Sequence, residues 1–355
     1  MSLNMKTLLE QMFERKASDL HITANSPIRF RIDEKLFPID EKMLTPEEAR
    51  ILIYSILTKE QIQKFEMEWE LDFSFGIENL ARFRVNVFRQ RSFTGCAIRL
   101  IPYEIMTFEE CGLPIDVVTD LSKKPKGLVL VTGATGSGKS TTLAAMMDYI
   151  NTQRTCHIIT IEDPIEFIHR NKKAVIDQRE VYSDTHSFGM ALKHILRQDP
   201  DVILIGEMRD LETIQSALII AETGHLVFAT LHTSDCVQTI NRVVDVFPSH
   251  QQKQIQTQLS FVMLGILSQQ LIPKHDDKGR VLATEVLIAT PAIRSLIRDG
   301  KVHQIYSVMQ TSQKDGMRTM NQALTDLYSR GLISYDEGYS RSTSPDELDK
   351  LINKL

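Results

Sequence analysis

Gly133-Ala134-Thr135-Gly136-Ser137-Gly138-Lys139-Ser140 sets three glycines, a lysine and a hydroxyl at the spacing that grips a phosphate chain. Glycines let the backbone curl so that successive N–H groups point inward, and a helix starting at the loop's end adds positive potential. Lys139 is expected to reach the β- and γ-phosphates of ATP, and Ser140 to give a hydroxyl to Mg²⁺, with Thr141 next in the same nucleotide-binding stretch. Phosphoryl transfer also needs carboxylates. The apolar run Val202–Ile205 leads to Glu207, a candidate for holding a Mg²⁺-bound water. A second run ends in Glu162-Asp163-Pro164-Ile165-Glu166. A base there would orient the attacking water, and spacing leaves Glu162 and Glu166 both open. Lys139, Glu162, Glu166 and Glu207 are therefore the candidate catalytic residues. Gly224–Thr233 carries His225 and His232 at the two ends of an apolar strand. Both are read as nucleotide contacts or interface sensors at the sheet edge.

A second cationic element lies upstream. From Asn79 to Tyr103 there is no acid, yet Arg82, Arg84, Arg89, Arg91 and Arg99 occur. In 81–88, Phe83, Val85 and Val87 share one face and Arg82 and Arg84 the other. Arg82, Arg84, Arg89 and Arg99 are candidate phosphate contacts across a domain or subunit interface, where a guanidinium neutralises charge on the transferred phosphoryl group.

The elements that must position these residues fall into two groups. Residues 1–102 read as a small α+β domain: a helix over 5–13, strand-like segments at 18–22, 28–32, 36–39, 71–77 and 81–88, and a helix starting at Thr45-Pro46 with Glu47 and Glu48 in its first turn. The pair 28–32 and 36–39 reads as a hairpin turning at Asp33-Glu34-Lys35. A linker is expected at 103–112. Residues 113–355 alternate apolar strands (128–132, 158–161, 202–205, 226–231) with amphipathic helices, the signature of a mostly parallel sheet covered on both faces. From Ser249 onward the chain reads as helices, the first with Ile255, Leu259, Val262, Met263 and Ile266 on one face. Ser344-Pro345-Asp346-Glu347 reads as a possible start of a last short helix.

Of 355 residues, 42% are apolar and 25% charged, with a net charge of −5. That balance argues against direct nucleic-acid binding, although a RecA-like translocase is the rival of a different class. The longest apolar run in the C-terminal half, 261–267, is far short of the ~20 residues of a membrane span, and no secretory signal is seen. The four cysteines include no CxxC pair and read as reduced thiols rather than a zinc site.

The P-loop, the 160–166 acidic box, Asp199-Pro200-Asp201 with Gly206-Glu207-Met208-Arg209-Asp210, and the 224–233 histidine box together resemble the secretion and pilus assembly ATPases. Ser18-Asp19-Leu20-His21 and Gly316-Met317-Arg318-Thr319-Met320 are similar to that family's flanking motifs. Within it, Ala292-Ile293-Arg294-Ser295-Leu296-Ile297-Arg298-Asp299 is similar to the signature of the pilus-retraction branch. The lack of a four-cysteine zinc motif, and a start directly in the small domain, point the same way; the alternatives are a retraction paralogue and an extension or type II secretion ATPase. The resemblance implies a PAS-like N-terminal domain and a RecA-like α/β P-loop motor. It implies a homo-hexameric ring that hydrolyses ATP between domains, with arginines of the small domain on the phosphates and Glu166 rather than Glu162 as the catalytic acid. It also implies work at the cytoplasmic face of the inner membrane on the pilus platform protein (PilC-like), driving pilus retraction and twitching motility.

Overall fold

A computed structural model describes residues 4–32, 35–77, 80–101, 104–276 and 279–354. The chain divides between Glu104 and Ile105 into two units.

The first unit opens with α1 (Met5–Glu14), then β1 (Asp19–Ile22), β2 (Arg29–Ile32) and β3 (Lys35–Pro38). The pairing of β2 with β3 is antiparallel as expected, while Asp33 and Glu34 of its turn lie outside the described residues. Next come α2 (Pro46–Tyr54), α3 (Lys59–Glu68), β4 (Glu70–Ile77), β5 (Ala81–Gln90) and β6 (Phe93–Ile101). The start of α2 is fixed by a capping box: Thr45 accepts from the Glu48 N–H while Glu48 accepts from the Thr45 N–H, with Pro46 in the first turn. All six strands join one antiparallel sheet in the order β3-β2-β1-β6-β5-β4. Because side chains alternate, Leu20, Phe30, Phe83, Val85, Val87 and Ile98 fall together in a buried core with Leu8, Leu9 and Ile53 of the helices. Arg29, Arg31, Arg82, Arg84 and Arg99 fall on the other face.

The second unit contains α4 (Ile115–Lys123), β7 (Gly127–Thr132), α5 (Lys139–Gln153), β8 (His157–Glu162), β9 (Val175–Glu180), α6 (Phe188–Ile195), β10 (Val202–Ile205), α7 (Leu211–Glu222) and β11 (Leu226–Leu231). Then follow α8 (Cys236–Asp245), α9 (Ser249–Val262), β12 (Met263–Pro273), β13 (Arg280–Ile288), α10 (Pro291–Arg298), α11 (Ile305–Thr311), α12 (Met320–Ser329), α13 (Tyr335–Arg341) and α14 (Pro345–Ile352). Part of the segment read as a linker packs here: Phe108 is buried and stacks on Tyr149 with ring centroids 5.2 Å apart. Pro102 and Tyr103 lie outside the described residues.

The sheet order is β13-β12-β7-β11-β10-β8-β9. Every neighbour pair from β12 to β9 is parallel, and β13 alone runs antiparallel. All six residues of both β7 and β11 are buried, as strands covered on two faces require. One expectation is overturned. The chain after Ser249 is not all helix: α9 ends at Val262, and Met263 begins an 11-residue strand paired with β7. Met263 and Ile266, read as part of a helix face, are strand residues, and Gly265 admits the close approach of β13, where a Cβ would lie 2.9 Å from the Leu287 carbonyl oxygen. Parallel order puts the C-terminal ends of β8, β10, β11 and β7 on one edge, where open α/β sheets bind ligands.

Candidate active site

The P-loop leaves β7 at that edge. Gly133, Gly136 and Gly138 have φ of 140°, 78° and 89°, conformations that side chains rarely adopt. At Gly133 space forbids a substitution as well, because a Cβ would lie 2.4 Å from the Gln269 carbonyl oxygen. Lys139 is the first residue of α5 and is 9% exposed. Its ammonium donates to the carbonyls of Gly133 and Ala134, each at 2.9 Å, so it lies along the loop's inner side. Burial lowers its pKa, and the charges of Glu207 and Glu166 oppose that.

Both acids thus act electrostatically on the loop's lysine. Glu207 follows β10 and takes hydrogen bonds from Arg209 Nε at 2.6 Å and His232 Nε2 at 3.1 Å. Burial pushes its carboxyl up, but Arg209 and His232 outweigh this and hold it below its ordinary range. Gly206 lies close against the end of β8, its N–H donating to the Ile161 carbonyl at 2.7 Å.

Glu162 and Glu166 of the 160–166 box differ sharply. Glu166 is exposed and acts on Lys139. Glu162 is turned inward: Thr160 Oγ1 donates to it at 2.6 Å, Gln178 Nε2 at 3.1 Å, and the backbone N–H of Glu166 bonds to it as well. Burial raises the Glu162 carboxyl to about 7 against these bonds. A raised folded value means the folded protein keeps this proton more tightly than the unfolded chain. The associated stability is fully present below pH 4.5 and is lost as pH rises through about 7. Glu162→Gln, which carries no charge, is expected to flatten that loss. The melting-temperature difference between pH 5 and pH 8 should shrink by the equivalent of about 2 kcal/mol in parallel thermal scans.

Not every expected site residue joins this edge. His232 does, through Glu207. His225 does not: it precedes β11, its carbonyl accepting the Gly127 N–H at the opposite end of the sheet, ~20 Å of strand away. Its Nδ1 lies 3.1 Å from the Ile220 carbonyl and 3.2 Å from Thr223 Oγ1. The seven-residue separation of the two histidines is the length of the strand between them, so only one can reach the nucleotide edge. Among the arginines, Arg84 is exposed and faces Arg99 in the β5–β6 register, and Arg99 Nε bonds Asp19 at 2.9 Å. Arg82 donates to Ser74 Oγ at 2.6 Å. Arg89 is separated from these three: it sits at the core parity of β5, bonds Glu66 at 2.7 Å and lies over the Trp69 ring at 5.4 Å. Counting in twos from Arg84 already excludes it from that face.

An edge that offers a positively charged loop to phosphates, with two carboxylates acting on its lysine, defines a P-loop ATPase. The family model for Type II/IV secretion system proteins matches residues 2–337, and the chain belongs to that family. It is 48% identical over 344 residues, covering 97% of this chain and 99% of the relative, to the Type IV pilus retractation ATPase PilT of Pseudomonas aeruginosa. It is 41% identical over 350 residues to the Type IV pilus ATPase PilU of the same organism, covering 99% and 91%. The crystal structure of the pilus retraction motor PilT with bound ADP superposes with a TM-score of 0.92 at 49% identity, covering 98% of this chain and 99% of that one. Among the described residues no helix is long and apolar enough to cross a membrane.

Proposed function

We propose that the chain is an ATP-hydrolysing motor for type IV pilus retraction. End-to-end likeness to retraction ATPases carries this reading, and the edge site supplies its chemistry. Lys139 and the amides of 133–141 hold the phosphates. Glu166, exposed and acting on Lys139, orients the attacking water. Glu162 holds the Glu166 backbone in place. Ser140 and the ionised Glu207 are hard oxygen donors of the kind Mg²⁺ takes alongside substrate phosphates. When bound, Mg²⁺ neutralises charge on the β- and γ-oxygens. His232 and Arg209, both on Glu207, are placed to register loss of the γ-phosphate charge.

The reading extends to a homo-hexamer whose arginine face, with Arg84 and Arg99 both exposed on it, completes a neighbouring subunit's site. It places the ring at the cytoplasmic face of the inner membrane, acting on the pilus platform protein. Removing the gene from its own host should leave cells that display pili but do not twitch, with motility restored by the wild-type chain. Cells lacking pili altogether would instead assign the chain to extension.

A further inference from the structure

The hairpin β12–β13, invisible as such in the sequence, borders the P-loop on the side away from the acidic box. In the pairing of β12 with β7, Ser268 stands opposite Thr132, so Gln269 stands level with the start of the loop. Gln269 is 1% exposed. Its Nε2 donates to Thr142 Oγ1 at 2.7 Å, in the first turn of α5. Its backbone carbonyl packs on Gly133, at the loop's other end, so closely that no Cβ fits between. One residue thus touches both ends of the phosphate loop.

The surroundings are polar and closed. Among the described residues, buried Gln269 Oε1 has no hydrogen-bond partner, and neither has Ser137 Oγ. Ser137 crowds the same side of Gly133 as the Gln269 carbonyl. Thr284 Oγ1, opposite Gln269 in the β12–β13 register, is a third such atom. An apolar side chain at 269 would leave fewer polar atoms stranded, so packing alone does not account for an amide here. A donor aimed at Thr142 does. The next pair along the hairpin holds the opposite loop: Ser268 Oγ donates to the Ser234 carbonyl at 2.9 Å, and Glu285 accepts from the Cys236 N–H at 2.7 Å, just beyond His232.

We propose that Gln269 is a positioning residue for ATP, acting through Thr142 and Gly133 to hold the P-loop amides in phosphate-binding geometry. It rests on the P-loop being the nucleotide site. Gln269 touches no reacting atom, and the loop it holds grips ground state and transition state alike. Its removal therefore weakens binding uniformly: KM rises and kcat does not fall.

The test is a double-mutant cycle read by titration with fluorescent ADP and by ATP turnover. Gln269→Leu and Thr142→Val should each weaken ADP binding about 10-fold, the worth of one buried hydrogen bond. KM for ATP should rise by the same factor with kcat within about twofold, and the double variant should lose no more than either single one. Wild-type ADP affinity in a folded Gln269→Leu protein would overturn the proposal, as would losses that add in the double variant or a fall in kcat at unchanged KM. If Gln269→Leu fails to fold, Thr142→Val decides alone: a 10-fold loss supports the clamp and unchanged affinity overturns it. Lys139→Ala, run beside them, separates the two readings. If it loses ADP while Gln269→Leu does not, the P-loop assignment stands and only the clamp falls.

Discussion

Lys139→Ala is expected to weaken ATP and ADP binding on the order of 100-fold and to abolish measurable turnover. The Lys139 ammonium is nearly enclosed and bonds the Gly133 and Ala134 carbonyls. Removing it takes away the one side-chain cation within the loop and the pin that draws its first turn inward. Hydrogen bonds to charged groups are worth about 1.5–3 kcal/mol each, or roughly 10- to 150-fold in affinity. Loss of a preorganised donor to the transferring group costs a further ~10²–10³ in rate. Fluorescent-nucleotide titration and phosphate release measure the two effects separately. Near-wild-type values in both would remove the nucleotide from this edge.

Glu166→Gln has a different signature. It should bind ATP as tightly as wild type yet hydrolyse it ~10²–10⁴-fold more slowly, because a general base matters only when the water's proton begins to move. The amide is isosteric, and Glu166 is exposed, so fold and binding are spared. Glu162→Gln should lose less, since that side chain acts through Thr160, Gln178 and the Glu166 N–H rather than on water. A purified Glu166→Gln protein should retain ATP, which chromatography of the released nucleotide detects. A deeper loss in Glu162→Gln than in Glu166→Gln would exchange the two roles.

The phosphate edge was legible because its chemistry is written in contiguous residues: a buried strand, a glycine loop and a helix leave a local pattern, as do strand-end acids. Spacing leaves Glu162 and Glu166 alike; what sets their surroundings apart is Gln178, carried to Glu162 by β9 from 16 positions away. β9 itself, Val-Ile-Asp-Gln-Arg-Glu, offers little apolar signal. The β12–β13 hairpin was missed for a related reason. Apolar residues at 255, 259, 262, 263 and 266 keep helical spacing across the true end of α9, and a strand buried on both faces shows no alternation to contradict it. Gln269 and Glu285 belong to no motif; only the register that brings them to the loops gives them meaning. His225 shows the converse, where a box of residues compact in sequence spans the whole sheet.

ATP turnover by ring-sized wild-type protein, assayed with and without single-stranded DNA, tests the motor reading most directly. Turnover that requires Mg²⁺ and is indifferent to DNA is the expected result. Stimulation by DNA would contradict it and make the chain a nucleic-acid translocase.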